Sequence, residues 1–391
     1  MKPERPGLGD SLDSRSSRRE LGNHPPNPQL PQRRHISLPT AKAMLADYRR
    51  TKDQLKRRGE YAPGETIPLA LHGQEFFRFL FTQLRRKGIT NDTVFDTYNI
   101  GLPLPSGHIP VEVAARDSEL SAVLFMEERG GVWRPDTALP IFDNYQDPFW
   151  ATVNGEILFG AVEIAVDDRD QITNYRTVFH YGDPKGYTQS AKFAIGPWGE
   201  KDIRTVSCSQ PAGGPLGTEL IVFRRPQGAI GGRGSIGYQK CADLGHFKHL
   251  LEDIDLTSHD VVVRNFRRRK DGNNEWGGVN QAMLLKSGEV GIIGHIAYFD
   301  EQGGKHYHVT VSVVDPLTGE LTYDPTTRSY MRIIAERADF PKGTIGNKFD
   351  LNDVTFAAGI VRHGDGQATL YTGIGDSAPG KREIPDPFGD R

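Results

Sequence analysis

Cysteine is scarce in this chain. Cys208 and Cys241 are the two among 391 residues, too few for a disulfide framework and without the spacing of a metal motif. They read as reduced thiols of a cytoplasmic protein. No apolar run approaches the roughly 18 residues of a membrane span. The first residues carry charge but no apolar stretch, so no secretory signal is expected. An excess of positive charge is also missing: 48 Lys and Arg stand against 50 Asp and Glu. That balance gives no overall field for nucleic acid. The run Gly-Ala-Ile-Gly-Gly-Arg-Gly-Ser-Ile-Gly at 228–237 has the glycines of a phosphate loop but not its Gly-Lys-Ser/Thr ending. No strand–helix unit follows it, which excludes a P-loop or Rossmann site and leaves a flexible loop over a pocket.

Glycine and proline are abundant instead, 44 and 26 residues, as a chain with many turns requires. Residues 1–38 are rich in Pro, Arg, Ser and Asn and hold little apolar surface to offset the entropy of ordering, so a disordered tail is expected. Residues 39–90 change to helical periodicity. Ala41, Met44, Leu45, Tyr48 and Leu55 mark a helix ending before Gly59, and Phe76, Phe77, Leu80, Phe81 and Leu84 mark a second over about Leu69 to Lys87. This reads as a helical extension docked on the main domain.

From residue 91 to 391 the helical period gives way to short β-prone runs separated by turn signals. They include Val111–Ala114, Ser121–Met126, Ile157–Ile164, Thr177–Tyr181, Leu220–Phe223, Val290–Tyr298, Tyr307–Val314, Met331–Ala335, Val354–Ala358 and Ala368–Tyr371. One helical insert is expected near Cys241–Ile254. So many strands exceed a single immunoglobulin-like sandwich and leave a propeller, a large barrel or a β-helix. A carboxylate followed by an apolar run recurs at irregular intervals: in the turn-rich gap Asp143–Trp150, at Lys201-Asp202-Ile203-Arg204, at Asn352-Asp353-Val354-Thr355 and at Pro385-Asp386-Pro387-Phe388. Irregular spacing suits propeller blades with insertions better than a solenoid. The expectation is an all-β, five-bladed β-propeller with an N-terminal helical extension.

The polar residues of such a fold converge on an axial pocket. Asp147, beside Tyr145, Pro148, Phe149 and Trp150, is a candidate general acid or base; a turn cap is the plainer reading of an Asp-Pro pair. Arg224 and Arg225 end an apolar run and suit bidentate capture of phosphate; a solvated strand end paired to Asp202 or Glu219 is the alternative. His295 lies in an apolar strand, where a satisfied core histidine is the default. His306 and His308 share a strand face, but no third ligand is near them, so no metal is expected. Glu275, Trp276 and Asn280 form a loop set suited to sugar, with a buried structural Trp as the alternative.

The order of these motifs resembles one family. Arg116-Asp117-Ser118-Glu119, Gln146-Asp147-Pro148-Phe149, Lys201-Asp202-Ile203-Arg204, Phe223-Arg224-Arg225-Pro226-Gln227-Gly228, Glu275-Trp276-Gly277-Gly278, Gly294-His295-Ile296-Ala297, Asn352-Asp353-Val354-Thr355-Phe356 and Leu370-Tyr371-Thr372-Gly373 are similar, over about residues 91–388, to the mannosyltransferase/phosphorylase family. This is glycosyltransferase family 108, formerly a domain of unknown function, related to the β-mannoside phosphorylases of glycoside hydrolase family 130. The resemblance implies inverting transfer of mannose between mannose-1-phosphate, or GDP-mannose, and β-1,2-mannooligosaccharides. It implies Asp147 as the acid, and Lys201, Arg204, Arg224, Arg225 and His295 around phosphate. Arg116, Asp117, Asp202, Glu275, Trp276, Tyr307, Asp353 and Tyr371 fall on the substrate side. Inorganic phosphate is then a co-substrate, with no cofactor and no metal, and a homo-oligomer is compatible with it. Gln146 and Phe149 depart from the Glu and Arg of the related phosphorylases, which either weakens phosphate binding or moves it to Arg204 and leaves the donor open. The rival expectations are an inverting hydrolase using Asp202 or Asp353 as a second carboxylate, and a silent glycan-binding module.

Overall fold

The computed structural model describes residues 38–83, 89–116, 118–208, 220–225, 236–252, 260–263, 275–342, 351 and 353–391. The expected tail, the glycine-rich run at 228–235 and Asp117 lie outside the described residues.

Helix α1 (Ala41–Arg58) ends where its sequence stops it. The Thr40 hydroxyl accepts the Ala43 N–H at 3.2 Å, Lys56, Arg57 and Arg58 fill the last turn, and Gly59 takes the left-handed conformation, φ 73°; each favours the helix end on which it sits. Strand β1 (Glu65–Thr66) follows. Helix α2 (Gln74–Gln83) begins five residues later than periodicity predicts. The preceding residues are taken by strand-like pairing: Trp133 N–H donates to the Pro68 carbonyl at 3.0 Å, and Ala70 N–H to that of Trp133 at 2.8 Å. Backbone committed sideways cannot also close an i to i+4 ladder.

The rest is mostly antiparallel β, with one further α-helix among the described residues. The first sheet is β2 (Phe95–Ile100), β3 (Ile109–Ala115), β4 (Ser121–Arg129) and β5 (Val132–Pro135), with short β6 (Phe142–Asp143) also on β4. The second is β7 (Tyr145–Val153), β8 (Glu156–Val166), β9 (Ile172–Tyr181) and β10 (Ala194–Ile195). Asn154 and Gly155, φ 53° and 81°, make the two-residue turn from β7 to β8, the hairpin whose twist matches the strands it joins. The third sheet is β11 (Arg204–Ser207), β12 (Leu220–Arg224), β13 (Ile236–Cys241) and β14 (Asp260–Val263), with α3 (Leu244–Glu252) before β14. The last sheet has eight strands. One half is β15 (Trp276–Leu284), β16 (Val290–Phe299), β17 (Lys305–Val314) and β18 (Met331–Ala335). The other half is β19 (Asp353–Arg362), β20 (Gln367–Ile374) and β21 (Ala378–Pro385), closed at its outer edge by β1. Among the described residues the ladders of the two halves join through two parallel pairs, His306 with Asp353 and Tyr307 with Val354, and the Gln281 side chain on β15 bonds the Ile360 backbone on β19.

Apolar cores lie between successive sheets. Phe125, Phe142, Phe159 and Phe179 among others fill the early gaps, and Ile293, Val309, Val311, Ile360 and Leu370 fill the late one. The first strand of each group touches the next: β2 lies against β7, β7 against β11, β11 against β15, β15 against β19, and β19 against β2. Four of these strands carry a register shift near the middle of the circle, in β2 between Thr97 and Ile100, β7 between Gln146 and Phe149, β15 between Val279 and Gln281, and β19 between Ala357 and Gly359. Two sequence readings change here. Asp143–Trp150 is largely strand rather than a turn-rich gap; Pro148 is tolerated because it sits in a bulge, where no ladder N–H is needed. Glu275–Asn280 is the start of β15 rather than a loop.

The N-terminal segment is bound by charge rather than by its apolar stripe alone. Asp339 is buried and receives Lys52 at 2.5 Å, Arg382 at 3.0 Å, the Tyr48 hydroxyl at 2.5 Å and the Tyr61 hydroxyl at 2.8 Å. Glu336 takes Lys52 and Arg49. Asp339→Ala would leave Lys52 and Arg382 buried without their carboxylate, a change that typically costs about 3–5 kcal/mol. Urea unfolding should show a loss of that size. A loss under about 1 kcal/mol, the worth of an exposed pair, would mean the hub does not hold the segment.

Candidate active site

The bulge in β7 turns Asp147 into the left-handed region, φ 48°, and aims its buried carboxyl at the centre of the circle of first strands. Its backbone N–H donates to Glu112 Oε2 at 2.8 Å, and Asn99 Nδ2 donates to Asp147 Oδ1 at 2.5 Å. Asn99 owes its position to the bulge in β2. Burial, the largest cause, and Asp202 push the Asp147 carboxyl up; Lys201, Arg204 and the Asn99 amide pull against them, and the net shift is upward. Burial and the neighbouring Asp147 raise Glu112 well above a carboxylate's usual range. Two acids thus share one polar pocket, and the environment favours their protonated forms.

Lys201 and Arg204 act on Asp147, and a third cation, Arg225, joins the cluster through Asp202. Lys201 is half-buried; burial works against its charge, and the carboxylates of Asp147 and Asp202 outweigh that to raise its pKa. Arg204 is buried, donates Nε to the Asn280 carbonyl at 2.8 Å, and lies flat over the Phe149 ring at 3.6 Å. Gly160 makes that stack possible: a Cβ there would come within 2.1 Å of the Phe149 ring. Arg225, buried, pairs with Asp202. Asp202, at φ 58°, is buried too; burial would raise it, but Arg225, Lys201 and Arg204 hold it well below its usual range. His295 binds Asn280 Oδ1 through Nδ1 at 2.8 Å, and burial beside Arg225 pushes its pKa down to about 3, so the ring is neutral. Its Nε2 has no hydrogen-bond partner among the described residues. Gly278 is the point on which these residues close: a Cβ there would stand 2.9 Å from His295, 3.1 Å from Arg225 and 3.4 Å from Asp202.

Six of the residues singled out from the sequence therefore come together: Asp147, Lys201, Asp202, Arg204, Arg225 and His295. Tyr307 and Trp276 form the next layer, with Tyr307 5.5 Å from His295 ring to ring and Trp276 Nε1 donating to the Tyr307 hydroxyl at 3.2 Å. The others are placed elsewhere. Arg224 and Arg225 alternate across the strand, so Arg224 turns away and is held bidentately by Glu200 at 2.9 and 2.5 Å and by the Leu250 carbonyl. Arg116 is bound to Asp96. Glu275 accepts the Ala41 N–H at the start of α1. Asp353 bonds to His306, and Tyr371 packs on the core around α2. Glu112 and Asn99 were not read from the sequence as site residues, and Asn280, read there as part of a loop suited to sugar, instead binds His295. Glu112 had a signal, a carboxylate inside the apolar run Val111–Ala114; Asn99 and Asn280 owe their roles to bulges, which leave no clear mark in sequence.

Fold and site together define an all-β protein with a buried acid pair set against three clustered cations. The family profile described as a protein of unknown function (DUF1861) matches residues 79–390, and the chain belongs to that family. Solved structures agree with the family resemblance in its motifs. The chain is similar to a mannose phosphorylase from Leishmania mexicana solved with a phosphate ion, at 26% identity and a TM-score of 0.62 over 88% of this chain and 95% of that one. It is similar to a hypothetical protein from Leishmania major, at 27% identity and a TM-score of 0.62 over 87% and 95%. It shares its fold with a GDP-Man-dependent mannosyltransferase from Leishmania mexicana, at 24% identity and a TM-score of 0.65 over 88% and 94%. A search of curated protein sequences finds no match. Among the described residues no helix is long and apolar enough to cross a membrane.

The buried acids make a stability prediction. Glu112 holds its proton in the folded state above the ordinary 4.5. As pH rises past that value the unfolded chain releases its proton first, so stability falls. Glu112→Gln keeps an acceptor for the Asp147 N–H and removes the penalty. The variant should melt above the wild type at pH 7, and the gap should close toward pH 4.5 in calorimetry. A gap independent of pH would show that Glu112 is not held protonated.

Proposed function

We propose that the chain is a mannosyl-transferring enzyme, a phosphorylase that moves mannose between mannose-1-phosphate and β-1,2-mannooligosaccharides with inversion. The observation that carries this reading is the acid Asp147, buried with a raised pKa, opposite Lys201, Arg204 and Arg225. A protonated acid beside a cationic pocket suits a leaving oxygen and an attacking phosphate in one place. The similarity to a mannose phosphorylase supports the same substrates. We read the circle of first strands, with four-stranded groups radiating from it and β1 closing the last, as a five-bladed β-propeller, its site in the axial funnel.

In phosphorolysis a phosphate oxygen attacks the anomeric carbon as the glycosidic bond breaks. Asp147 gives its proton to the departing oxygen, through a mannosyl hydroxyl if the distance requires it; in synthesis it takes the proton back. Lys201, Arg204 and Arg225 hold the phosphate charge. Preorganised cations in a partly dry pocket act most strongly where charge develops. Phe149 stands where the related phosphorylases carry an Arg, and Arg204 lies over its ring, which supports Arg204 supplying the missing guanidinium. The hydrolase alternative is disfavoured by the same geometry: Asp202 is held by Arg225 and Asp353 by His306, so neither is free to activate water.

Incubation with mannose-1-phosphate and short β-1,2-mannooligosaccharides should lengthen the chains, and excess phosphate should shorten them with release of mannose-1-phosphate. Asp147→Asn should lower the rate about 10²- to 10⁴-fold. Lys201→Met should raise the KM for phosphate more than it changes the KM for the oligosaccharide. Phosphorolysis needs the protonated acid, so its rate should fall as pH rises through the raised pKa of Asp147. Free mannose appearing without phosphate would instead make the enzyme a hydrolase. Turnover with GDP-mannose alone would make it a nucleotide-sugar mannosyltransferase.

A further inference from the structure

The parallel joint between β17 and β19 brings a third side chain to the two histidines that sequence left as an incomplete pair. His306 and His308 project from the same face of β17, and the pairing of His306 with Asp353 sets the carboxylate beside them. One ligand atom from each of His306, His308 and Asp353 lies within 4.8 Å of the others. His308 is fully buried, and neither of its ring nitrogens has a hydrogen-bond partner among the described residues. A buried polar ring without partners is costly, and such a group calls for a ligand. His306 is held from both sides. Its Nδ1 meets Asp353 Oδ2 at 2.5 Å and its Nε2 meets Asp300 Oδ2 at 3.0 Å. Tyr298 stacks on the ring, 4.6 Å between centroids and 5° from parallel. Asp300 is itself fixed by the N–H groups of Gln302 and Gly304, at 2.9 and 2.7 Å.

We propose that His306, His308 and Asp353 form a binding site for a divalent transition-metal cation, of which zinc fits best. Two imidazoles and a carboxylate are the donor set that zinc takes. The ion would replace the proton between His306 Nδ1 and Asp353. Nε2 would keep its proton and donate it to Asp300, the outer carboxylate that commonly orients a metal-bound histidine. Zinc bonds of roughly 2.0–2.2 Å set ligand atoms about 3.3 Å apart, so binding draws the three side chains together. The charges also balance: two carboxylates against one dication with both rings neutral. Arg49 approaches from α1, but its charge is taken up by Glu336. The ion would tie one half of the eight-stranded sheet to the other at the joint where their ladders share two parallel pairs. The role is structural and independent of the Asp147 cluster.

The test uses the full chain, stripped with chelator and titrated with zinc by calorimetry and with Co²⁺ by absorption spectroscopy. One ion per chain should bind, and zinc should raise the melting temperature by several degrees. The Co²⁺ complex should show ligand-field bands of a nitrogen and oxygen site. His306→Gln and Asp353→Asn should abolish binding, Asp300→Asn should weaken it about 10- to 100-fold, and His246→Gln on α3 should leave it unchanged. Circular dichroism of the stripped variants separates lost binding from lost folding. Absence of stoichiometric binding to the wild-type chain overturns the proposal without recourse to any variant. So does a near-ultraviolet thiolate band with Co²⁺, which would assign the ion to Cys208 or Cys241, or unchanged affinity in His306→Gln.

Discussion

The constraint on which the centre of this protein depends is that buried charge must be matched. Three cations and three carboxyl groups meet where the first strands converge. Asp202 resolves most of the conflict by staying ionised, with Arg225 bonded to it and Lys201 and Arg204 in reach. Glu112 and Asp147 resolve the remainder by favouring their neutral forms. An environment that holds one acid down and pushes two up, within one cluster, separates roles among chemically identical groups. Positive charge is then left in excess, which is what an anionic substrate requires.

The backbone makes this arrangement reachable. Regular strands alternate their side chains between the two apolar gaps on either side of a sheet, and would send few to the centre. Single-residue bulges in β2, β7 and β15 break the alternation at Asn99, Asp147 and Asn280. Asp147 and Asp202 both adopt positive φ without being glycine, a strain tolerated where the surroundings over-determine the conformation. The cost falls at the site, and the apolar gaps between sheets carry the stability.

The N-terminal segment is part of the same body. Strand β1 closes the edge of β21, Glu275 binds the first turn of α1, and the buried Asp339 hub gathers Lys52, Tyr48, Tyr61 and Arg382. Three carboxylates just outside the strands, Glu275, Glu336 and Asp339, thus hold a helix whose own apolar stripe is narrow. Glu275, read as a sugar contact from its neighbour Trp276, serves that attachment in this structure.

Periodicity and turn residues by themselves settled that the chain is mostly β, where many of its strands run, and that α1 ends at Gly59, because each depends on neighbours a few residues apart. The order of motifs singled out Asp147, Lys201, Asp202, Arg204, Arg225 and His295, which the fold brings together, but equally Arg224, Arg116, Glu275, Asp353 and Tyr371, which it places elsewhere. Tertiary structure alone decided the rest. It divided Arg224 from Arg225 by strand alternation, giving one to Glu200 and the other to the cluster. It added Asn99 through a bulge whose register is set by the partner strand, and Glu112 by bringing β3 beside the backbone of Asp147. It also placed Asp353 beside His306 by a parallel pairing across 47 residues. Such neighbours are made by long-range pairing, and no local pattern encodes them.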